Sequence, residues 1–145
     1  MRSIRHPQVW AFVALLCPAF LVAGCNTQPG EKLLPVSGKV TAGGKPVPTG
    51  NVTFYPMAAK GNETKHQPMG VLDSEGNYEV FVPGGRKGAP AGWYKVVVYA
   101  VDDPQPGKPN KYLVQKECAD VDATPLKIEV IANPEPQRYD WKLKR

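Results

Sequence analysis

Residues 93–101 read WYKVVVYAV, and this stretch decides the fold. Apolar side chains occupy both of its alternating faces, which is typical of a strand covered on both sides of a sheet. Sequences rich in Gly and Pro bound it, PGGRKGAPAG at 83–92 and DDPQPGKPNK at 102–111. The stretch therefore predicts a central β-strand between two loops.

Six further runs alternate apolar and polar residues or are rich in β-branched and aromatic residues. They lie at 35–42, 51–58, 69–73, 77–82, 125–132 and 139–145. The link 74–76 contains a Gly and predicts a hairpin between the third and fourth of these runs. We expect at most a short helical turn, near 112–118. The pattern predicts an all-β domain, a seven-stranded antiparallel β-sandwich.

The chain begins with MRSIRH, which carries Arg2 and Arg5 and no acid, and continues with an uncharged run at 9–24. A basic start, an apolar stretch and small residues at its end are typical of an export signal. The run is shorter than the roughly 20 apolar residues that span a membrane, and Pro18 interrupts it. The alternative is a buried N-terminal helix of a cytosolic protein, which the two arginines disfavour.

Residues 22–25, Val-Ala-Gly-Cys, resemble the lipobox of bacterial lipoproteins. The resemblance implies cleavage between Gly24 and Cys25 and acylation of the Cys25 thiol, so that acyl chains hold the protein on a membrane. The alternative is ordinary signal cleavage that leaves Cys25 as a plain thiol. The expected segments are a signal peptide at 1–24, a tether at 25–34 and a domain at 35–145.

The formal charge of the 145-residue chain is +5, and loss of the two signal arginines would lower it to +3. Because the basic residues are scattered among acids, we expect no nucleic-acid binding. The cysteines are Cys17, Cys25 and Cys118. With the first cleaved off and the second acylated, Cys118 has no partner in the chain. We expect it to be a buried, inert thiol, the alternative being an intermolecular disulfide.

Four stretches together resemble the carboxypeptidase regulatory-like domain. They are VSGKVTAGGKPVPTGNVTFYP at 36–56, VLDSEGNYEVFV at 71–82, APAGWYKVVVYA at 89–100 and TPLKIEV at 124–130. The resemblance implies a seven-stranded, transthyretin-like (prealbumin-like) β-sandwich of the kind found in small bacterial lipoproteins. In the turn formed by residues 73–76, we expect the Asp73 side chain to accept hydrogen bonds from the backbone and Gly76 to take a positive φ. The stretch 112–124 departs from the family pattern.

Residues 25–145, which follow the predicted cleavage site, offer few groups for catalysis. This part of the chain has one histidine, His66, in a polar loop, and neither a G-x-S-x-G nor an H-E-x-x-H motif. The same fold includes enzymes similar to 5-hydroxyisourate hydrolase, which use several histidines and a C-terminal Tyr-Arg-Gly-Ser; this chain has neither. We expect no catalytic residue and no cofactor.

Carboxylates on loops raise the question of a calcium site. Residues 73–77 resemble the start of a calcium loop, but their Gly stands at the fourth position and Gly84 stands at the twelfth. A structural turn is the better interpretation, and we expect no metal. Weak calcium binding at Asp102 and Asp103, or at Asp120 and Asp122, is the alternative.

Three aromatic residues, Tyr55, Trp93 and Tyr99, fall opposite the expected core positions of their strands. Several exposed rings on one face would form a platform for sugars. The interpretation that we favour is that a second sheet or a neighbouring loop covers them.

If successive strands reverse direction, the loops 57–68, 83–92 and 132–138 share one end of the domain with the tether. We hypothesise that this end is basic and faces anionic headgroups, with Arg86 and Lys87 as membrane-facing residues. The other end would collect the acidic residues Asp73, Glu75, Asp102, Asp103, Asp120 and Asp122, diluted by Lys45, Lys108, Lys111 and Lys116.

These observations predict a non-catalytic, lipid-anchored module of the cell envelope that contacts a protein or a glycan. The alternatives are a structural or assembly element of an envelope complex and an unrecognised hydrolase. The predicted partners are membrane lipid, through acyl groups on Cys25, and an envelope protein or glycan. Asn26 after the cysteine favours the outer membrane where the known sorting rule applies.

Overall fold

The computed structural model describes residues 31–145 of the chain, so the predicted signal segment with Gly24 and Cys25 lies outside the described residues. The described part is an all-β domain of antiparallel sheets and contains no α-helix. Its strands are β1 (Leu33–Leu34), β2 (Ser37–Ala42), β3 (Lys45–Pro46), β4 (Asn51–Pro56), β5 (Met69–Val71), β6 (Asn77–Glu79), β7 (Phe81–Val82), β8 (Arg86–Lys87), β9 (Ala89–Pro90), β10 (Gly92–Tyr99), β11 (Val101–Asp102), β12 (Lys111–Tyr112), β13 (Lys127–Val130) and β14 (Trp141–Leu143). Two short 3-10 helices lie at Ala58–Lys60 and Lys116–Ala119.

Strand β10 is the interior strand that its sequence predicts. It pairs antiparallel with β4 on one edge and with β13 on the other, within a six-stranded sheet of order β13-β10-β4-β5-β7-β8. A second sheet has the order β14-β2-β3, and β6 also pairs with β2. Two small ladders, β1 with β9 and β11 with β12, complete the pairing.

The hydrophobic core takes side chains from both sheets. On β10 the inward residues Tyr94, Val96 and Val98 are fully buried, and the Tyr94 ring meets Phe54 of β4 edge-on, with centroids 5.8 Å apart. Val40 of β2 belongs to the same cluster. Each such side chain contributes about 1.5–3 kcal/mol when it leaves water, so the core fixes which face of each strand points inward.

The turn between β5 and β6 is built by Asp73 and Gly76. The Asp73 carboxylate accepts hydrogen bonds from the backbone amides of Glu75 and Asn77, at 2.8 and 2.9 Å. A further bond from the Asn77 side chain, together with these amides, lowers the pKa of Asp73. Gly76 has φ +78°, and its carbonyl accepts from the Val40 amide at 2.8 Å.

The predicted hairpin between the runs 69–73 and 77–82 is confirmed in part, because only the second half of the latter run pairs with the former. Strand β6 pairs with β2 of the second sheet, whereas β7 returns to the first sheet and pairs with β5. The run 77–82 therefore crosses from one sheet to the other at Val80, which is fully buried. Alternation of apolar residues specifies which side chains are buried but not which neighbour the backbone pairs with.

The C-terminal strand departs from the expected antiparallel arrangement, because β14 runs parallel to β2. A buried network holds it there: the Tyr78 hydroxyl donates to the Tyr139 carbonyl at 2.6 Å and accepts from Trp141 Nε1 at 3.1 Å. Burial raises the pKa of Tyr78. The Lys39 amide also donates to Asp140 at 2.8 Å.

The domain begins earlier than the predicted boundary at Pro35. Leu33 and Leu34, which were assigned to the tether, pair with Pro90 and Ala89, and Leu34 is buried. Burial of the Leu34 side chain in the core, together with the strand pairing, brings this segment into the domain. Residues 33–34 are thus a strand and not part of the tether.

Replacing Gly76 by Ala should destabilise the domain more than replacing Gly44, although both have φ +78°. A Cβ at Gly76 would lie 2.5 Å from the Val40 carbonyl oxygen, whereas one at Gly44 meets nothing within 4 Å. Both variants incur about 1–2 kcal/mol for the left-handed backbone, and Gly76→Ala incurs about 1–3 kcal/mol more from the clash. Urea unfolding of the two variants measures the difference; equal losses would contradict it.

Candidate functional site

An open groove of about 540 Å³ lies on the outer face of the six-stranded sheet. Its floor is formed by Tyr55 of β4 and Val97 of β10, which point away from the core because successive residues of a strand alternate between faces. The segment 112–124 forms the wall. The lining residues are Tyr55, Val97, Tyr112, Lys116, Glu117, Ala119, Asp120, Val121 and Ala123.

The groove wall is fixed to β10 by hydrogen bonds beyond the last β13 pair. The Thr124 hydroxyl donates to the Val96 carbonyl at 2.7 Å, and Lys95 Nζ donates to the Val121 carbonyl at 3.0 Å. Thr124 is one of the few buried polar residues among those described. A buried hydrogen bond of this kind is costly to break, so the groove is preformed.

The wall is also anchored from inside. Val114 and Cys118 are each about 2% exposed and belong to the core cluster, and the Gln115 amide donates to the Lys144 carbonyl next to β14. Burial raises the pKa of the Cys118 thiol. Cys118 is therefore the buried thiol that the sequence predicts, and it fixes the segment 112–124 to the core.

The chemistry of the groove is mixed aromatic and charged. Tyr112 half-covers one side and packs edge-on against Tyr99, with centroids 6.2 Å apart and planes at 87°. The charged residues Lys116, Glu117 and Asp120 also line the groove. Aromatic faces next to charged donors and acceptors suit a ligand that has both apolar C–H faces and many hydroxyls.

The outer aromatic rings are covered to different extents. Lys60 Nζ lies 3.6 Å from the centroid of the Trp93 ring, and Tyr55 is half-buried along the groove. Tyr99 is 37% exposed. The expectation that a neighbouring element covers these rings holds for Trp93 and Tyr55 but not for Tyr99.

A small apolar patch lies beside the groove. Met69 is 44% exposed and Val71 is 69% exposed, both on β5, and together with Tyr99 they are the exposed large hydrophobic residues of the described chain. Their strands are the two neighbours of β4, where Asn51 faces Val71 on one side and Tyr99 on the other. The three side chains thus share one region of the outer face.

The loops expected at one end of the domain do lie there. The β1–β9 pair puts residues 33–34 beside the loop 83–92, and Asn62 Nδ2 donates to the Trp93 carbonyl at 3.0 Å, which brings in the loop 57–68. Arg86 is exposed, whereas Lys87 forms an ion pair with Glu79 at 2.9 Å. Their contact with a membrane remains a prediction.

The predicted acidic character of the opposite end is wrong in part. The side chain of Arg145 packs against Gly43, and the Gly43 amide bonds the Leu143 carbonyl, so the basic C-terminus lies at that end. Asp120 and Asp122 belong instead to the groove wall beside β10. The position of the C-terminus could not be predicted from alternating strand directions, because β14 runs parallel to β2.

The remaining chemistry-bearing residues are dispersed. His66 Nε2 lies 3.7 Å from the Glu31 carboxylate, and Ser74 lies in the turn at the other end of the domain. Asp102 forms an ion pair with Lys111 at 2.8 Å. Among residues 31–145 no three His, Cys, Asp or Glu side chains are grouped to hold a metal ion. In the same residues no helix has the length and apolar character to cross a membrane.

Cys118 should report on closure of the groove wall. In the native protein it should react slowly with iodoacetamide, and Thr124→Val should speed the reaction at least several-fold, because the bond to Val96 that costs about 1 kcal/mol or more to lose is gone. Thr49→Val, at an exposed position, is the matched control. Mass spectrometry of the Cys118 peptide gives the rate; equal rates in both variants would contradict the assignment.

The chain matches no protein-family model, no curated protein and no solved structure. The described residues establish an all-β domain of several antiparallel sheets and no family.

Proposed function

We propose that this chain is a non-catalytic binding module of the cell envelope, held on a membrane by acyl groups on Cys25. Its domain is proposed to be a β-sandwich of the carboxypeptidase regulatory-like, transthyretin-like kind. Two sheets that share one core support the sandwich. The longer strands β2, β4 and β10 fall on the runs that carry the resemblance. The lipobox-like residues 22–25 support the anchor.

The ligand proposed for the groove is an oligosaccharide of pyranose rings. The observation that carries this proposal is a preformed groove that brings Tyr55 and Tyr112 together with Lys116, Glu117 and Asp120. A tyrosine face packs on the C–H face of a sugar ring, and the charged groups bond its hydroxyls. The volume of the groove, about 540 Å³, lies within the usual range for small-molecule sites, roughly 300–1,000 Å³.

Binding rather than hydrolysis is proposed because of the groove's residue types. The described residues that line it include no histidine, serine or cysteine. Glu117 and Asp120 are both exposed to solvent. An exposed carboxylate is a hydrogen-bond acceptor for hydroxyls and a poor general acid.

Tyr112→Ala should weaken oligosaccharide binding at least tenfold, equivalent to about 1.4 kcal/mol, because it removes one aromatic wall. Isothermal titration of soluble β-linked glucose and N-acetylglucosamine oligomers measures this. Phe81→Ala is the control, since it removes a half-buried ring of the same sheet outside the groove. Lys116→Ala, at an exposed position, tests the polar side. No saturable binding, or equal losses with Phe81→Ala, would contradict the proposal.

A second candidate function is protein contact within an envelope complex. The observation that favours it is the apolar patch of Met69, Val71 and Tyr99, since clustered exposed hydrophobic residues mark interaction sites.

Val71→Lys should dissociate such a complex without affecting stability, because the side chain is 69% exposed. Native gel electrophoresis of detergent-extracted membranes measures the complex size. Ser37→Lys, at an exposed position of the other sheet, should leave it intact. A wild-type protein that migrates alone would exclude this second function and leave the groove proposal in place.

A further inference from the structure

Residues 31–34, the first that the structure describes, lie at one end of the domain and are bonded to it. Residues 33–34 pair with Ala89–Pro90, and the Thr64 hydroxyl donates to the Glu31 carboxylate at 2.9 Å. This end, termed the anchor end, comprises residues 31–32, 57–66, 83–88 and 131–138. The last range belongs to it because Val130 pairs with Gly92, where β10 begins.

The reach of the chain from the proposed anchor is short. Six Cα-to-Cα steps separate Cys25 from Glu31, which is at most about 20 Å when fully extended. Had residues 31–34 been part of a free tether, ten steps instead of six would separate Cys25 from the domain, and the reach would have been about two-thirds as long again. Because they are fastened, a membrane that holds Cys25 lies within about 20 Å of Glu31 at the anchor end.

The charges of the anchor end complement an anionic surface. Its six basic residues are Lys32, Lys60, Lys65, Arg86, Lys87 and Arg138, against three acidic residues, Glu31, Glu63 and Glu135. Lys87 is engaged by Glu79, which leaves five. The opposite end, residues 43–49, 73–76, 102–111 and 144–145, has five basic and four acidic residues. The excess is modest, so charge adds to the orientation that the short reach already imposes.

An aromatic residue of the kind found at membrane surfaces lies at the start of β10, in contact with the anchor end. Trp93 is half-buried, and the Lys60 ammonium lies over its ring at 3.6 Å. The exposed Ala58 and Ala59 directly precede this lysine in the chain. An amphipathic ring with a cation above it is typical of the headgroup region, where an apolar body and a polar tip are both satisfied.

From these observations we infer that the anchor end is the membrane-contacting surface of the domain and that its partner is an anionic lipid headgroup layer. The inference rests on the proposed acyl anchor at Cys25. It assigns Lys60, Lys65 and Arg86 to headgroup contact, and it leaves the groove and the apolar patch free at the side.

The test uses the full acylated protein in vesicles of phosphatidylcholine with and without phosphatidylglycerol. A fluorophore is attached at Ala59→Cys on the anchor end or at Ser74→Cys on the opposite end, both exposed positions. Quenching by a lipid-bound quencher should be several-fold stronger at position 59. The buried Cys118 gives the background in a chain without an added cysteine. Equal quenching at the two positions would overturn the inference.

Charge reversal tests the nature of the lipid. Lys65→Glu combined with Arg86→Glu should reduce the difference between the two positions in anionic vesicles. Lys45→Glu combined with Lys108→Glu, which changes the net charge equally at the opposite end, should leave it unchanged. A difference that neither pair alters would overturn the assignment to anionic headgroups. Protein that does not float with vesicles would instead overturn the proposed anchor, so the two failures are distinguishable.

Discussion

Strand β10 is the constraint on which the rest of the domain depends. Its two edges are paired with β4 and β13, its inward side chains lie in the core, and its outward Val97 is 6% exposed. A strand in this position cannot shift by one residue without turning Val96 and Val98 outward. The register of the six-stranded sheet and the floor of the groove are therefore set by the same buried residues.

Local chemistry explains the part of the structure that the sequence predicts well. Alternating apolar residues give the strands, because each buried side chain favours one face. The turn at Asp73 and Gly76 follows from an acceptor that bonds amides two and four residues ahead and from a glycine that tolerates positive φ. Both signals act within a few residues, and neither needs knowledge of a distant partner.

The parts that differ from expectation depend on long-range contacts. The parallel docking of β14 relies on Tyr78, which bonds Tyr139 from 61 residues away and meets Trp141 as well. The groove wall depends on Thr124 reaching Val96. The sequence around a buried tyrosine or threonine does not indicate which distant carbonyl its hydroxyl will bond. Neither the groove nor the position of the C-terminus could therefore be predicted.

The groove and the anchor end are connected by one rigid element. Gly92 and Trp93 begin β10 at the anchor end, and Val97 lies four residues further along it, which is about 13 Å at the usual rise of a strand. Because β10 is paired on both edges, this spacing is fixed within the domain. If the anchor end rests on a membrane, the height of the groove is fixed by the strand and not by the tether. A ligand that enters the groove would then bind at a height above the headgroups that β10 sets.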